Sequence, residues 1–249
     1  MDEQYIIGRN PVLEVLKTGK EIEKIFILKG DLKGSINKIV GIAKDKNILI
    51  QYVDKNKLDQ IAQGGSHQGI AALVTPYVYF SIDDILKKAD KQEKAPFILI
   101  LDGIEDPHNL GAIVRTAECA GVHGIIIPKR RAAHVTSTVY KSSAGAVEHM
   151  MIAKVNNLSD AIEKLKKKGL WIYGADVDGE SYYFNTDLKG SIALVIGSEG
   201  KGISRLVKEK CDFLLKIPMF GKVSSLNASN AASILIYEVV RQGYEKKRQ

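Results

Sequence analysis

Three polar clusters in the C-terminal two-thirds of the chain carry the residue types that can do chemistry, and each stands beside an apolar run. The first is Asp106-Pro107-His108-Asn109-Leu110-Gly111 with Arg115, the second Gly197-Ser198-Glu199-Gly200, and the third Ser224-Ser225-Leu226-Asn227-Ala228-Ser229. One such cluster reads as a turn. Three, bearing Asn109, Arg115, Glu199, Ser225 and Asn227, read as one site assembled from distant segments. The clusters hold no Ser-His-Asp or Cys-His arrangement and no carboxylate pair. A neutral-polar set with one acid and one arginine suits orienting a hydroxyl and a phosphodiester better than hydrolysis.

Each cluster also has a plain structural reading. Leu110, Ile113, Val114 and Ala117 mark the apolar stripe of a helix starting near Asn109, so Asn109 reads as an N-cap. Arg115 lies off that stripe and reads, taken alone, as a solvated cation. The alternative is a planar fork gripping a phosphate. Gly197 to Ser204 lacks the GxxxxGK[ST] and G-x-G-x-x-G spacings, so its glycines read as allowing close backbone approach to a ligand. Glu199 there is either a cap for a helix near Ser204 or a polar group beside the ligand. Ser225 and Asn227 read as caps of a long helix whose stripe is Ala228, Ala231, Ala232, Leu235, Ile236 and Val239. The small residues early in that stripe fit deep packing or a dimer interface.

The elements that must position these clusters follow from the hydrophobic rhythm. From Pro96 on, apolar runs at Phe97–Leu101, Gly124–Ile127, Leu170–Tyr173, Ile192–Ile196 and Phe213–Ile217 alternate with helix patterns such as Leu158–Lys168. Near-continuous apolar strands predict a doubly wound parallel sheet covered on both faces, with the ligand crevice at the carboxyl ends of its strands. Residues 4 to about 75 predict a small α/β unit. It has helices at Pro11–Lys17 and Ile36–Ala43, and strands at Ile25–Leu28, Ile48–Val53 and Gly69–Val74, with Asn10-Pro11 as the first helix start. The polar stretch after Pro76 contains a short helix, Ser81–Lys88. It divides the chain into 1–76, a linker at 77–95, and 96–249.

With 249 residues, 45% of them hydrophobic and 26% charged, the chain can bury a substantial core. A formal net charge of +7 and a pI near 9.2 favour a polyanionic partner. Cys119 and Cys211 form no metal-ligand spacing, and the five histidines are scattered, so neither a disulfide framework nor a metal centre is expected. Met1-Asp2-Glu3-Gln4 lacks the basic and apolar regions of a signal peptide, and the apolar runs are too short to span a bilayer. A soluble, cytoplasmic protein is the expectation.

Together, Asp106–Glu118, Ile196–Gly200, and Ile217-Pro218-Met219 with Ser225–Ser229 resemble the three motifs of the SpoU (TrmH-like) family of RNA ribose 2′-O-methyltransferases. Ile7–Glu14 and His67-Gln68-Gly69 resemble the substrate-binding domain of its ribosomal branch, closest to enzymes that methylate a guanosine ribose in 23S rRNA. The resemblance implies an α/β domain of SPOUT type with a deep C-terminal trefoil knot, S-adenosylmethionine as cofactor, and a homodimer made through the knot. It implies cofactor contacts at Gly197, Ile217 and Leu226, and a polar catalytic set of Asn109, Arg115, Glu199, Ser225 and Asn227. Arg9, His67, Lys129, Arg130 and Arg131 are candidate contacts to large-subunit ribosomal RNA. The alternatives are a tRNA ribose methyltransferase and a non-catalytic RNA-binding assembly factor; the intact polar set argues against the second.

Overall fold

The computed structural model describes residues 4–30 and 34–245. Met1 to Glu3, and Lys246-Lys247-Arg248, which the sequence presents as a solvated tail, lie outside the described residues. The chain forms two compact units, Met1–Val78 with His134–His149, and Tyr79–Ala133 with Met150–Gln249.

The first unit runs β1 (Gln4–Ile7), α1 (Arg9–Thr18), β2 (Ile22–Leu28), α2 (Ser35–Asp45), β3 (Leu49–Val53), α3 (Lys55–Ala62) and β4 (Ile70–Val74). Its sheet has the order β1-β4-β2-β3, with β2 and β3 parallel and the other pairs antiparallel. Leu58 and Ala62 of α3 close over Ile7, Phe26, Val53 and Ala71. The expected cap at Asn10 is displaced: α1 starts at Arg9 after Gly8, whose φ of 97° suits a residue without a side chain. Pro11 still falls in the first turn, where its missing N–H costs nothing.

The second unit opens with α4 (Ile82–Lys91), followed by β5 (Phe97–Asp102), α5 (Pro107–Cys119) and β6 (Gly124–Pro128). The chain then contributes α6 (Ser137–Ser142) to the first unit before returning to β7 (Met151–Val155), α7 (Leu158–Lys167), β8 (Trp171–Ala175) and β9 (Ser181–Tyr182). It ends with β10 (Ile192–Gly197), α8 (Arg205–Lys208), β11 (Phe213–Lys216) and α9 (Ala228–Glu245). The seven-stranded sheet has the order β7-β6-β5-β10-β8-β11-β9, and every pairing is parallel. On one face, Ile82 and Ile85 of α4, Ile162 and Leu165 of α7 and Val207 pack on Ile98, Ile100, Ile126, Ile172 and Val195. Helices α5 and α9 pack together, with the Thr116 and Ser233 hydroxyls 3.2 Å apart.

Two features differ from the contiguous division read in the sequence. Residues 79–95 belong with the second unit: the helix expected at Ser81–Lys88 is α4, capped by Ser81 in a reciprocal capping box with Asp84, and it buries Ile82, Ile85 and Ala89. Ile85 lies so close to β6 that a Cβ on Gly124 would stand 2.5 Å from it. Residues 134–149 belong with the first unit. There Lys20 Nζ bonds Glu148 Oε1 at 2.9 Å and donates to the Tyr140 hydroxyl, while His149 Nε2 stands 2.7 Å from Glu14 Oε1.

Candidate active site

The loops after β8, β10 and β11 meet at the carboxyl ends of these strands, where strand order departs from chain order. They enclose a cavity of about 380 Å³ lined by Asp176 and Asp178, by Gly197 to Ile203, and by Ile217, Ser225, Leu226 and Ala228. Gly197, Ile217 and Leu226, the cofactor contacts that the family resemblance implies, all line it, as do Glu199 and Ser225 of the polar set.

The loop after β10 is held as a tight turn. Ser198 N donates to Gly202 O at 3.1 Å and Gly202 N returns to Ser198 O at 2.9 Å, with Gly200 and Gly202 at φ 77° and 65°. Gly197 is required by space: a Cβ there would stand 2.1 Å from the Gly202 carbonyl carbon and 2.3 Å from Ile203 N. Ser204 N is fixed to Asp102 Oδ2 at 2.7 Å, tying this turn to the end of β5.

Glu199 gathers the three clusters. Its Oε1 accepts from Asn109 Nδ2 at 2.9 Å, from Asn227 Nδ2, and from Ala228 N at 3.4 Å, while Asn227 Nδ2 also donates to Asn109 Oδ1 at 2.9 Å. The acid therefore sits at the positive end of α9, and is not the cap of α8, which begins after Ser204. Asn227 does two things at once. Its Oδ1 accepts from Ser229 N at 2.9 Å and Asn230 N at 3.4 Å, capping α9, while its amide nitrogen binds the network. Asn109 is not an N-cap; Asp106 is, accepting from His108 N at 2.9 Å, with Pro107 in the first turn. That shift places Asn109 within the first turn of α5, with its side chain free of capping and bonded to Glu199.

The structure thus brings together Asn109, Glu199 and Asn227, with Ser225 on the cavity wall. Arg115 is not joined to them. It is exposed on α5, about 9 Å further along the helix axis at 1.5 Å per residue. In the first unit, Arg9 Nε donates to Gln68 O at 2.9 Å and Arg9 N to Gln68 Oε1 at 3.0 Å. His67 Nδ1 accepts from Gly69 N at 2.9 Å and its Nε2 faces Asp59 Oδ1 at 3.1 Å, so both ring nitrogens serve the turn that carries Gln68. Lys129, Arg130 and Arg131 are exposed beyond β6.

Asp176, Asp178 and Lys208 in the cavity wall were missed in the sequence. Lys208 Nζ binds Asp176 Oδ2 at 2.9 Å, and that bond raises the lysine above its ordinary range. The rule that ligands lie beyond the carboxyl ends of parallel strands, applied to the run ending at Tyr173, points to them. Among the described residues no group of three or more His, Cys, Asp or Glu side chains is placed to hold a metal ion. No helix among them is long and apolar enough to cross a membrane.

A model of the SpoU rRNA Methylase family matches residues 96–237, and one described as RNA 2′-O ribose methyltransferase substrate binding matches residues 5–80. The chain belongs to the SpoU rRNA methylase family and is an RNA methyltransferase. It is 50% identical to a candidate TrmH family tRNA/rRNA methyltransferase, YacO, of Bacillus subtilis over 96% of this chain and 95% of that protein. A Staphylococcus aureus protein described in the same family terms is 49% identical over 98% of both chains. The crystal structure of the SpoU methyltransferase AviRb from Streptomyces viridochromogenes, in complex with AdoMet, superposes with a TM-score of 0.83. That match covers 97% of this chain and 91% of AviRb at 24% identity, a likeness of fold.

Proposed function

We propose that this protein transfers a methyl group from S-adenosylmethionine to the 2′-hydroxyl of a guanosine ribose in 23S ribosomal RNA. We further propose that it works as a homodimer whose C-terminal part forms a deep trefoil knot. The observation that carries the reading is the Asn109–Glu199–Asn227 network, which ties the three polar clusters together at the rim of one cavity.

The cavity fits the cofactor in size and chemistry. Its volume falls within the range usual for small-molecule sites, and its walls combine apolar side chains with the carboxylate of Asp178 and the Lys208–Asp176 ion pair. Gly197 leaves no side chain between strand end and loop, so the 198–203 turn closes directly on the end of β10 and forms one wall of the cavity. The bound cofactor supplies an electrophilic methyl carried on a sulfonium. The chain's own part is to hold the ribose in line and keep water out, a positioning task that carries much of such a reaction.

Arg115 serves as a phosphate clamp whose guanidinium also offsets negative charge developing on the 2′-oxygen. Glu199, Asn109 and Asn227 fix the loops that frame the ribose, with Ser225 beside them. Arg9, held on the turn that His67 positions, and Lys129, Arg130 and Arg131 contact RNA phosphates. Phe220, Val223 and Tyr237, exposed before and along α9, offer an apolar face to a second copy.

The test is transfer of tritiated methyl from S-adenosylmethionine onto total RNA from a strain lacking the protein, with nuclease mapping of the label. Label at one 2′-O-methylguanosine in 23S rRNA supports the reading. Label in tRNA keeps the chemistry and overturns the substrate. Absence of label on free RNA and on ribosomal particles, with cofactor bound, overturns the enzyme reading.

A further inference from the structure

Lys154, near the end of β7, places its Nζ 3.8 Å from the centroid of the Tyr79 ring. Tyr79 is held there by the neighbouring backbone: Phe80 N donates to Ile152 O at 2.9 Å, and Phe80 forms a parallel bridge with Ala153. Across the pair β6–β7, Lys154 is in register with Ile127, and Lys129 N donates to Val155 O at 2.9 Å. Burial, and after it the charge of Lys129, hold Lys154 below the ordinary lysine range. Arg130 and Arg131 follow Lys129, both exposed, with Arg131 turned into the left-handed region at φ 55°.

Four other lysines of this unit are each neutralised by an acid: Lys164 by Asp83, Lys166 by Asp212, Lys208 by Asp176 and Lys210 by Glu163. Among the described residues, Lys129, Arg130, Arg131 and Lys154 have no such partner. Like charges gathered without an acid, one of them partly desolvated over an aromatic face, repel one another until an anion arrives.

We propose that Lys129, Arg130, Arg131 and Lys154, the last seated on Tyr79, form a phosphodiester-binding site at the β6–β7 edge that grips the backbone of the substrate RNA. The site rests on the proposed function, because RNA is the substrate there. It is separate from the cavity: β6 and β7 are the second and third strands from β10, about 10–14 Å across the sheet at about 4.8 Å per strand. It therefore serves nucleotides other than the one modified. Its grip is on backbone charge, which carries no sequence information.

The test compares the wild-type chain with a Lys129→Gln/Lys154→Gln variant in filter binding of 23S rRNA and of tRNA across a potassium chloride series. Removing two phosphate contacts should lower the slope of log affinity against log salt by about 1.4 to 1.8, and weaken binding about tenfold at low salt. In methyl transfer, KM for RNA should rise while kcat at saturating RNA and S-adenosylmethionine affinity hold. An Arg130→Gln variant, changed at an exposed side chain, should lower the slope by about 0.7 to 0.9 and serves should the double variant melt early. Unchanged affinity and slope overturn the site. So does a loss confined to inorganic phosphate, added as competitor, with RNA binding intact, since the cluster then takes free anions. If the wild-type chain methylates no RNA yet its salt slope exceeds the variant's, the methyl-transfer reading falls and the phosphodiester site stands.

Discussion

Gly197→Ala tests the architecture of the cavity most directly. The added methyl would stand 2.1 Å from the Gly202 carbonyl carbon, 2.3 Å from Ile203 N and 2.4 Å from Gly202 O, all backbone atoms with no rotamer to change. Relief to ordinary contact near 3.5 Å requires the 198–203 turn to move by about 1 Å or more. That movement breaks the paired Ser198–Gly202 bonds of 3.1 and 2.9 Å and lifts Ile203, which is 5% exposed, from the core. Two hydrogen bonds at about 1 kcal/mol each and part of one buried isoleucine give a cost of about 3 kcal/mol. For a chain of this size that lowers Tm by about 6–12 °C. Because the strain falls in the cavity wall, S-adenosylmethionine affinity, read by calorimetry, should drop by about a hundredfold or more, beyond what the loss of stability explains. Gly200→Ala is the control: nothing lies within 4 Å of its added Cβ, and only its φ of 77° resists, at about 1 kcal/mol. Equal effects from the two variants, or an unshifted Tm with normal cofactor affinity in Gly197→Ala, would refute the close approach as the reason for glycine.

Other outcomes follow from single side chains. Arg115→Ala should cut kcat at least about a hundredfold with Tm and cofactor affinity unchanged, since the side chain is exposed on α5; a parallel fall in cofactor affinity would make Arg115 structural instead. Burial pushes the Cys211 thiol up to about 12 while Cys119 is exposed, so iodoacetamide at pH 8 should modify Cys119 alone in the native protein; modification of Cys211 at a similar rate contradicts its burial. Burial also holds the His123 imidazole below its ordinary 6.5, and Phe97 N bonds its Nδ1 at 3.0 Å. The unfolded chain then takes up a proton that the folded chain refuses, so this group's stabilisation is full above pH 6.5 and is lost as pH falls from there toward the lowered folded value. A His123→Asn variant should show a flatter decline of Tm between pH 6.5 and 5 than the parent; equal declines would exclude His123 as a source.

The parallel sheet was legible because β5 and β10 are apolar at nearly every position, the mark of strands covered on both faces. β9 escaped notice because two residues, Ser181 and Tyr182, carry no periodicity, and β7 because Lys154 interrupts its apolar run. The helix behind the first cluster was readable from its stripe, but its start was not. Asp106 with Pro107 outcompetes Asn109 as cap, and that local choice decides whether Asn109 faces its own backbone or Glu199. The three clusters could be listed as candidates from residue type. Their joining could not be read, because Asn109 and Glu199 are brought together by the β5–β10 pairing across 90 positions of sequence.

The placement of 134–149 bears on the order in which the protein can be made. Tyr140, Val139 and Val147 are buried, and Gly145 lies so close to α1 that a Cβ there would stand 2.5 Å from the Cβ of Glu14. The first unit therefore lacks part of its wall when residue 78 has been synthesised, and gains it only after 71 more residues (149 − 78). At elongation rates of about 5–20 residues per second that interval is about 4–14 s. During it, β1 and α1 must wait with an uncovered apolar flank while β5, α5 and β6 emerge. An amino-terminal fragment ending at residue 78 carries that same flank permanently, so a contiguous cut near the 1–76 boundary read in the sequence yields an unfinished unit.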